Sequence, residues 1–124
     1  MKNRKFSIIL AAVVIGFLSI YATDDNTCSF ANDSGYTLLT SVNLQSGAQQ
    51  WLYTNPGDDP TTLDLGTDQV ASLTIYFQFS PEVVTVQAGS NDVVSTPWGT
   101  TMTVNWTMGD NGANGIEIDP DSQN

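Results

Sequence analysis

The sequence predicts an all-β protein, namely a single antiparallel β-sandwich of the jelly-roll or Ig-like kind, preceded by an N-terminal hydrophobic signal helix. Apolar and polar residues alternate in several short segments, and alternation with a period of two gives a strand one buried face. The central example has Leu73, Ile75, Phe77 and Phe79 on one side. Turn residues separate these segments about every ten residues, which is typical of sandwiches and barrels.

The first part of the chain has the pattern of a secretory signal peptide. Three cationic side chains stand within the first five residues, an apolar run follows from Ile8 to Ile20, and the small residue Ala22 comes soon after it. A basic start, an apolar run of this length and a small residue are typical of such a peptide. We expect residues 1–22 to be a signal peptide and residues 23–124 to be one secreted, extracellular domain. The alternative is a retained anchor or a pilin-like assembly helix.

The alternation and the turn residues place the strands in order along the rest of the chain. Asn55 to Pro60 is the strongest loop signal, because it holds two prolines and a glycine. Gly109 to Gly115 is predicted to be a glycine-rich loop, and Trp106 and Met108 are predicted to lie on the buried face of the strand before it. The predicted strands are 28–30, 36–44, 50–53, 61–65, 73–79, 84–88, 93–94, 101–108 and 116–118.

Charge and composition exclude most classes of function. The only cationic side chains are Lys2, Arg4 and Lys5, and the chain has 13 acidic residues and no histidine. A secreted domain without these cations cannot neutralise phosphates, which excludes nucleic acid and argues against anionic lipid surfaces. Catalysis by imidazole, by lysine or by a zinc centre is excluded as well. A pair of carboxylates is the remaining catalytic chemistry, and because no motif marks such a pair we expect no enzyme.

We expect no bound cofactor, although calcium is the one metal ion that this composition permits, since calcium takes oxygen ligands only. The candidate ligands are Asp110, Asn111 and Asn114, in the predicted glycine-rich loop. Asp58 with Asp59, and Asp119 with Asp121, are further acidic groups. The alternative is ordinary turn chemistry without a metal, because Asp, Asn and Gly are also the preferred turn residues.

Three aromatic residues are the candidate ligand-binding side chains. Trp51, Tyr53 and Trp98 lie in or beside predicted loops and are flanked by amide, hydroxyl and acidic residues. Aromatic rings can stack on sugar faces while amides bind hydroxyl groups, and the same rings suit a lipid headgroup interface. The sequence therefore predicts a binding module for a glycan or a lipid headgroup. The alternative for Trp51 and Trp98 is a place in the core.

The single cysteine suggests a different class of function. Cys28 has no partner for an internal disulfide, so it is either a small core residue or the site of an intermolecular disulfide. Self-association through Cys28, or through addition of a strand to a neighbouring sheet, would suit a structural subunit of an extracellular fibre or surface layer.

Two segments resemble those of the aegerolysin family. Residues 97–101, Pro-Trp-Gly-Thr-Thr, and the strand residues 104–107 that follow are similar to the Pro-Trp-Gly segment and the next strand of that family. The segments 32–35 and 44–47 are similar to its opening. The resemblance implies a small acidic β-sandwich that binds membrane lipids, with Trp98 and Trp106 as lipid-contacting residues.

Overall fold

Nine β-strands make up the regular structure of the described part of the chain. The computed structural model describes residues 26–121, and none of these residues lies in an α-helix. The predicted signal peptide, residues 1–22, lies outside the described residues. The strands are β1 (Asn26–Asn32), β2 (Leu38–Leu44), β3 (Gln49–Thr54), β4 (Thr61–Gly66), β5 (Val70–Phe77), β6 (Val83–Gln87), β7 (Asp92–Ser95), β8 (Thr101–Gly109) and β9 (Gly112–Pro120).

The strands form two sheets that share one hydrophobic core. The five-stranded sheet has the order β4-β1-β9-β8-β7, and the four-stranded sheet has the order β3-β2-β5-β6. Buried side chains from both sheets, such as Ile75 and Phe77 from one and Phe30 and Val104 from the other, belong to a single cluster. Burial of each such side chain contributes roughly 1.5–3 kcal/mol. The predicted all-β class is therefore confirmed.

One strand pairing differs from the antiparallel prediction. β1 lies between β4, to which it is antiparallel, and β9, to which it is parallel, with Phe30 opposite Ile116. The five-stranded sheet is thus mixed. Alternation along a strand indicates which residues face the core but not the direction of the neighbouring strand, so the sequence pattern could not reveal this pairing.

The predicted glycine-rich loop is mostly strand, so that prediction is wrong. β8 and β9 form a hairpin in which Gly109 pairs with Gly112, and only two residues form the turn. The register shifts between Thr107 and Met108, as at a β-bulge, which redirects the side chains that follow. Met108 is consequently exposed, although it was predicted to be buried with Trp106, whose side chain is buried.

Phe79 is the other residue whose predicted burial is wrong. β5 ends at Phe77, and the N–H of Ser80 donates to the carbonyl of Phe77 in the turn that leads to β6. Because the extended conformation stops there, the alternation no longer applies to Phe79. Its backbone has φ of 64°, and its side chain is 95% exposed.

A buried amide joins the loop after β1 to the end of β3. Nδ2 of Asn32 donates to Oγ1 of Thr54 at 3.1 Å and to the carbonyl of Tyr36 at 2.8 Å. Its Oδ1 accepts from the backbone N–H and the hydroxyl of Ser34. Removing either partner would leave part of a buried amide without a hydrogen bond, which is costly.

In the described part of the chain, no helix is long and apolar enough to cross a membrane.

Candidate binding site

Trp51 and Tyr53 lie on a strand, as predicted for residues 50–53. Both are in β3, at one edge of the four-stranded sheet. Two residues apart on a strand, they point to the same side, away from the core. Their side chains are 51% and 62% exposed, so neither is a core residue.

Strand pairing adds a third ring to these two. Leu39 on β2 is opposite Tyr53 on one side and Tyr76 of β5 on the other. The rings of Trp51 and Tyr76 meet with their centroids 5.6 Å apart, at an interplanar angle of 37°. Ser41, on the strand between them, is fully buried although it points outwards, because the two rings meet above β2. We call Trp51, Tyr53 and Tyr76 the ring cluster.

A row of amides and hydroxyls borders the ring cluster on the same face. Asn43 is its centre, because its Nδ2 donates to Oγ of Ser72 at 3.0 Å and to Oγ1 of Thr74 at 3.1 Å. Its Oδ1 accepts from Ser41 at 2.7 Å and from Nε2 of Gln49 at 3.0 Å. These four bonds fix the orientation of the amide and hold the row in place. We call Asn43, Gln49, Ser72 and Thr74 the amide row.

This face carries no charge. Strands β2, β3, β5 and β6 contain no acidic and no basic residue, although the whole chain has 13 acidic residues. The acidic residues nearest to these strands in sequence are Asp68, before β5, and Glu82, before β6. An uncharged surface with aromatic rings and hydrogen-bonding groups suits a neutral ligand.

The ring cluster also borders a shallow groove. The groove has a volume of about 220 Å³ and lies where β2 begins and β5 ends. Its wall is almost wholly apolar, so it offers van der Waals contact and little hydrogen bonding. The lining residues are Thr37, Leu39, Tyr53, Tyr76, Phe77 and Gln78.

Trp98 lies elsewhere, in the loop between β7 and β8 of the other sheet. One face of its ring stacks on Tyr36, with centroids 5.0 Å apart, and Phe77 meets it edge-on at 5.7 Å. The Tyr36 hydroxyl in turn forms a hydrogen bond with Thr100 in the same loop. Trp98 is 47% exposed, but its packing over Phe77 gives it a structural role at this end of the core.

Trp106 is not available as a lipid contact in this fold. Its side chain is buried, and its Nε1–H donates to the carbonyl of Ser90 at 3.1 Å. That position contradicts the role that the aegerolysin resemblance implies for Trp106.

The candidate calcium ligands gather at one hairpin end. Asp110 and Asn111 form the β8-β9 turn, Asn114 lies in β9, and all three line a cleft of about 200 Å³ together with Asn26 and Thr27. Calcium binding at this place stays a prediction.

A second acidic group was missed by the sequence analysis. One carboxylate oxygen from each of Asp33, Glu117 and Asp119 lies within 4.8 Å of the others, so the three could hold a cation. The negative charge of Asp119, followed by burial and by Asp33, raises the pKa of Glu117. Glu117 and Asp119 share a face of β9, a signal present in the sequence, but the parallel neighbour that brings Asp33 was not predictable. Nδ2 of Asn105 donates to Asp119 at 2.9 Å.

Comparison of the chain with protein-family models, with curated proteins and with solved structures finds no match. The resemblance to aegerolysins, and every statement about function, therefore depends on the residues of this chain alone. The strongest candidate site that these residues form is the ring cluster with its amide row, on an uncharged face.

Proposed function

We propose that the chain is a secreted, non-enzymatic binding module, a β-sandwich of the jelly-roll or Ig-like kind that binds a glycan. The observation that carries this proposal is the contact of Trp51 with Tyr76 at 5.6 Å on a face without charge. The shared core of the two sheets supports the sandwich. The predicted signal peptide supports secretion.

Sugar binding makes use of the two features of this face. A pyranose ring has an apolar side that packs against an aromatic ring, and it has hydroxyl groups around its rim. The ring cluster packs against the apolar side of the sugar. Gln49, Ser72 and Thr74 of the amide row offer donors and acceptors for its hydroxyl groups. Asn43 is held by four hydrogen bonds, so little ordering of side chains is required when a ligand binds.

A lipid headgroup is the alternative ligand, as in an aegerolysin-like membrane-lipid-binding protein. That alternative depends on Trp98, which gives much of its ring surface to Tyr36 and Phe77. The acidic domain would also be repelled by anionic lipids. The exposed rings of Trp51 and Tyr53 suit either ligand, and the amide row beside them favours the glycan.

A binding screen distinguishes these ligands. The wild-type protein, Trp51→Ala and the matched control Trp98→Ala are tested on a glycan array and on vesicles of zwitterionic lipid. We expect glycan binding that Trp51→Ala abolishes and that Trp98→Ala leaves unchanged. Binding to vesicles alone, or a loss of binding with Trp98→Ala only, would overturn the proposal.

A structural subunit of a fibre or surface layer is a second candidate function. Phe79, almost fully exposed at the tip of a hairpin, favours it, because so exposed a ring suits a contact with another chain. Cys28 does not favour it, because the thiol is buried in the folded chain. Sedimentation of the secreted protein tests this candidate, and a monodisperse monomer at high concentration would count against it.

A further inference from the structure

We infer that the ligand of the ring cluster is an uncharged oligosaccharide that lies across the strands and covers about three sugar units. This inference rests on the proposed glycan-binding function and adds the class of glycan and its direction on the sheet.

The charge distribution limits the ligand to neutral sugars. The described residues 26–121 contain no lysine, arginine or histidine, so no side chain among them could pair with a carboxylate or a sulfate of a ligand. The nearby loops contribute negative charge through Asp68 and Glu82. At physiological salt this field extends about 8 Å. A glycan with uronate, sulfate or sialate groups would meet electrostatic repulsion with no cationic side chain to offset it, whereas a neutral glycan would not be repelled.

The strand register sets the direction of the ligand. The outward residues Tyr53, Leu39, Tyr76 and Val83 stand opposite one another on the four successive strands. This apolar row runs across the sheet, and with strands about 4.8 Å apart it is roughly 14 Å long, the length of a short oligosaccharide.

The amide row determines the orientation of the bound sugar, because the hydroxyl groups along one edge of the sugar would face this row. Asn43 is opposite Gln49 on one side and Ser72 on the other, so the amide row runs parallel to the apolar row. Most of it lies four positions further along the strands, and Trp51 and Ser41 lie between the two rows at the level of Thr74. A sugar stacked on Trp51 and Tyr76 would therefore direct the hydroxyls of one edge towards the amide row.

Two series of oligosaccharides test the inference by calorimetry. The neutral series contains gluco-, xylo-, manno- and chito-oligosaccharides from monosaccharide to hexasaccharide, and the acidic series contains galacturonate oligomers of the same lengths. We expect affinity for one neutral type to rise about tenfold or more from monosaccharide to trisaccharide and then to level off. We expect the acidic series to bind at least about tenfold more weakly at low salt, with a smaller difference at high salt.

Variants at the two ends of the apolar row test whether the oligosaccharide lies across the strands. Tyr53→Ala removes the ring at the β3 end of the apolar row, so the affinity of this variant should level off at an oligosaccharide one unit shorter than for the wild type. Val83→Ala should weaken binding of the trisaccharide but not of the disaccharide. Val93→Ala, at an exposed valine on β7, is the matched control and should change neither.

The outcomes separate the inference from the function on which it rests. Equal affinity for acidic and neutral oligomers, or an affinity that does not depend on length, would overturn the inference while glycan binding stands. Binding of no glycan in either series would overturn both.

Discussion

At the scale of single residues, the least favourable group in the core is the hydroxyl of Thr40. Thr40 lies on the inward side of β2 and is fully buried. Among the buried side-chain atoms of the described residues, its Oγ1 is without a hydrogen-bond partner. Burial of an unpaired hydroxyl costs about 1–3 kcal/mol.

We expect Thr40→Val to stabilise the protein by about 1 kcal/mol, because valine has nearly the same shape and no polar atom to desolvate. Urea unfolding followed by fluorescence measures the change. Thr54→Val is the control with the opposite sign, since Oγ1 of Thr54 accepts a hydrogen bond from Asn32 at 3.1 Å. A destabilised Thr40→Val would show that the hydroxyl has a partner.

The buried thiol of Cys28 makes the free energy of unfolding depend on pH in the alkaline range. Burial raises the pKa of Cys28 from 9.0 to about 11. The folded state then holds this proton more tightly than the unfolded state does. Its contribution to the free energy of unfolding is fully present below pH 9 and is lost as the pH rises towards 11.

We expect the wild type to lose stability more steeply than Cys28→Ala between about pH 9 and about pH 11. Urea unfolding of both proteins at several pH values in this interval measures the difference. Parallel curves for the two proteins would contradict the buried position of the thiol. The same burial predicts that a thiol reagent labels Cys28 only after unfolding.

At the scale of elements, the hairpin between β5 and β6 contains a strained residue. Phe79 adopts φ of 64°, a left-handed conformation that costs a side-chain-bearing residue about 1–2 kcal/mol. Its ring is exposed, so little packing offsets this cost.

We expect Phe79→Asn to raise the free energy of unfolding by about 0.5–1 kcal/mol, because asparagine tolerates this conformation. Phe79→Val should lower it, since a β-branched residue fits the left-handed region poorly. Thermal unfolding of the three proteins measures both shifts. The same change in both variants would mean that loss of the ring, not the backbone, decides the effect.

Much of the fold followed from the alternation of apolar and polar residues, and the failures occurred where a strand ends or bulges. The pattern placed Leu73, Ile75 and Phe77 on the buried side, as observed. It failed at Phe79 because a turn begins after Phe77, and at Met108 because a bulge changes the register. Neither change alters the local alternation in the sequence.

The sequence predicted two rings of the candidate site but not the third. Trp51 and Tyr53 were singled out as exposed aromatic residues, and both are exposed. Tyr76 was not among the candidate residues, because only strand order brings β5 within reach of β3 across β2. Pairing between strands distant in sequence is not encoded in local periodicity.

At the scale of the whole molecule, the distribution of charge depends on export. The three cationic side chains all stand within the first five residues. Removal of the predicted signal peptide would leave 13 acidic side chains with no cationic side chain to oppose them.

We expect the protein recovered from the culture medium to begin near Thr23, because cleavage is predicted close to Ala22. Mass spectrometry of the intact protein measures its N-terminus. A secreted or membrane-bound protein that retains residues 1–22 would favour the anchored or assembling alternative instead.

The three tryptophans give the most direct test of the proposed site, because each has one indole N–H signal in a nuclear magnetic resonance spectrum. Neutral gluco-, xylo-, manno- and chito-oligosaccharides are added in turn to the ¹⁵N-labelled protein. With at least one of them, we expect the Trp51 signal to shift, together with the amides of β2, β3 and β5, while the signals of Trp98 and Trp106 stay in place. A shift of Trp98 without Trp51, or no shift with any of the four sugars, would contradict glycan binding at the ring cluster.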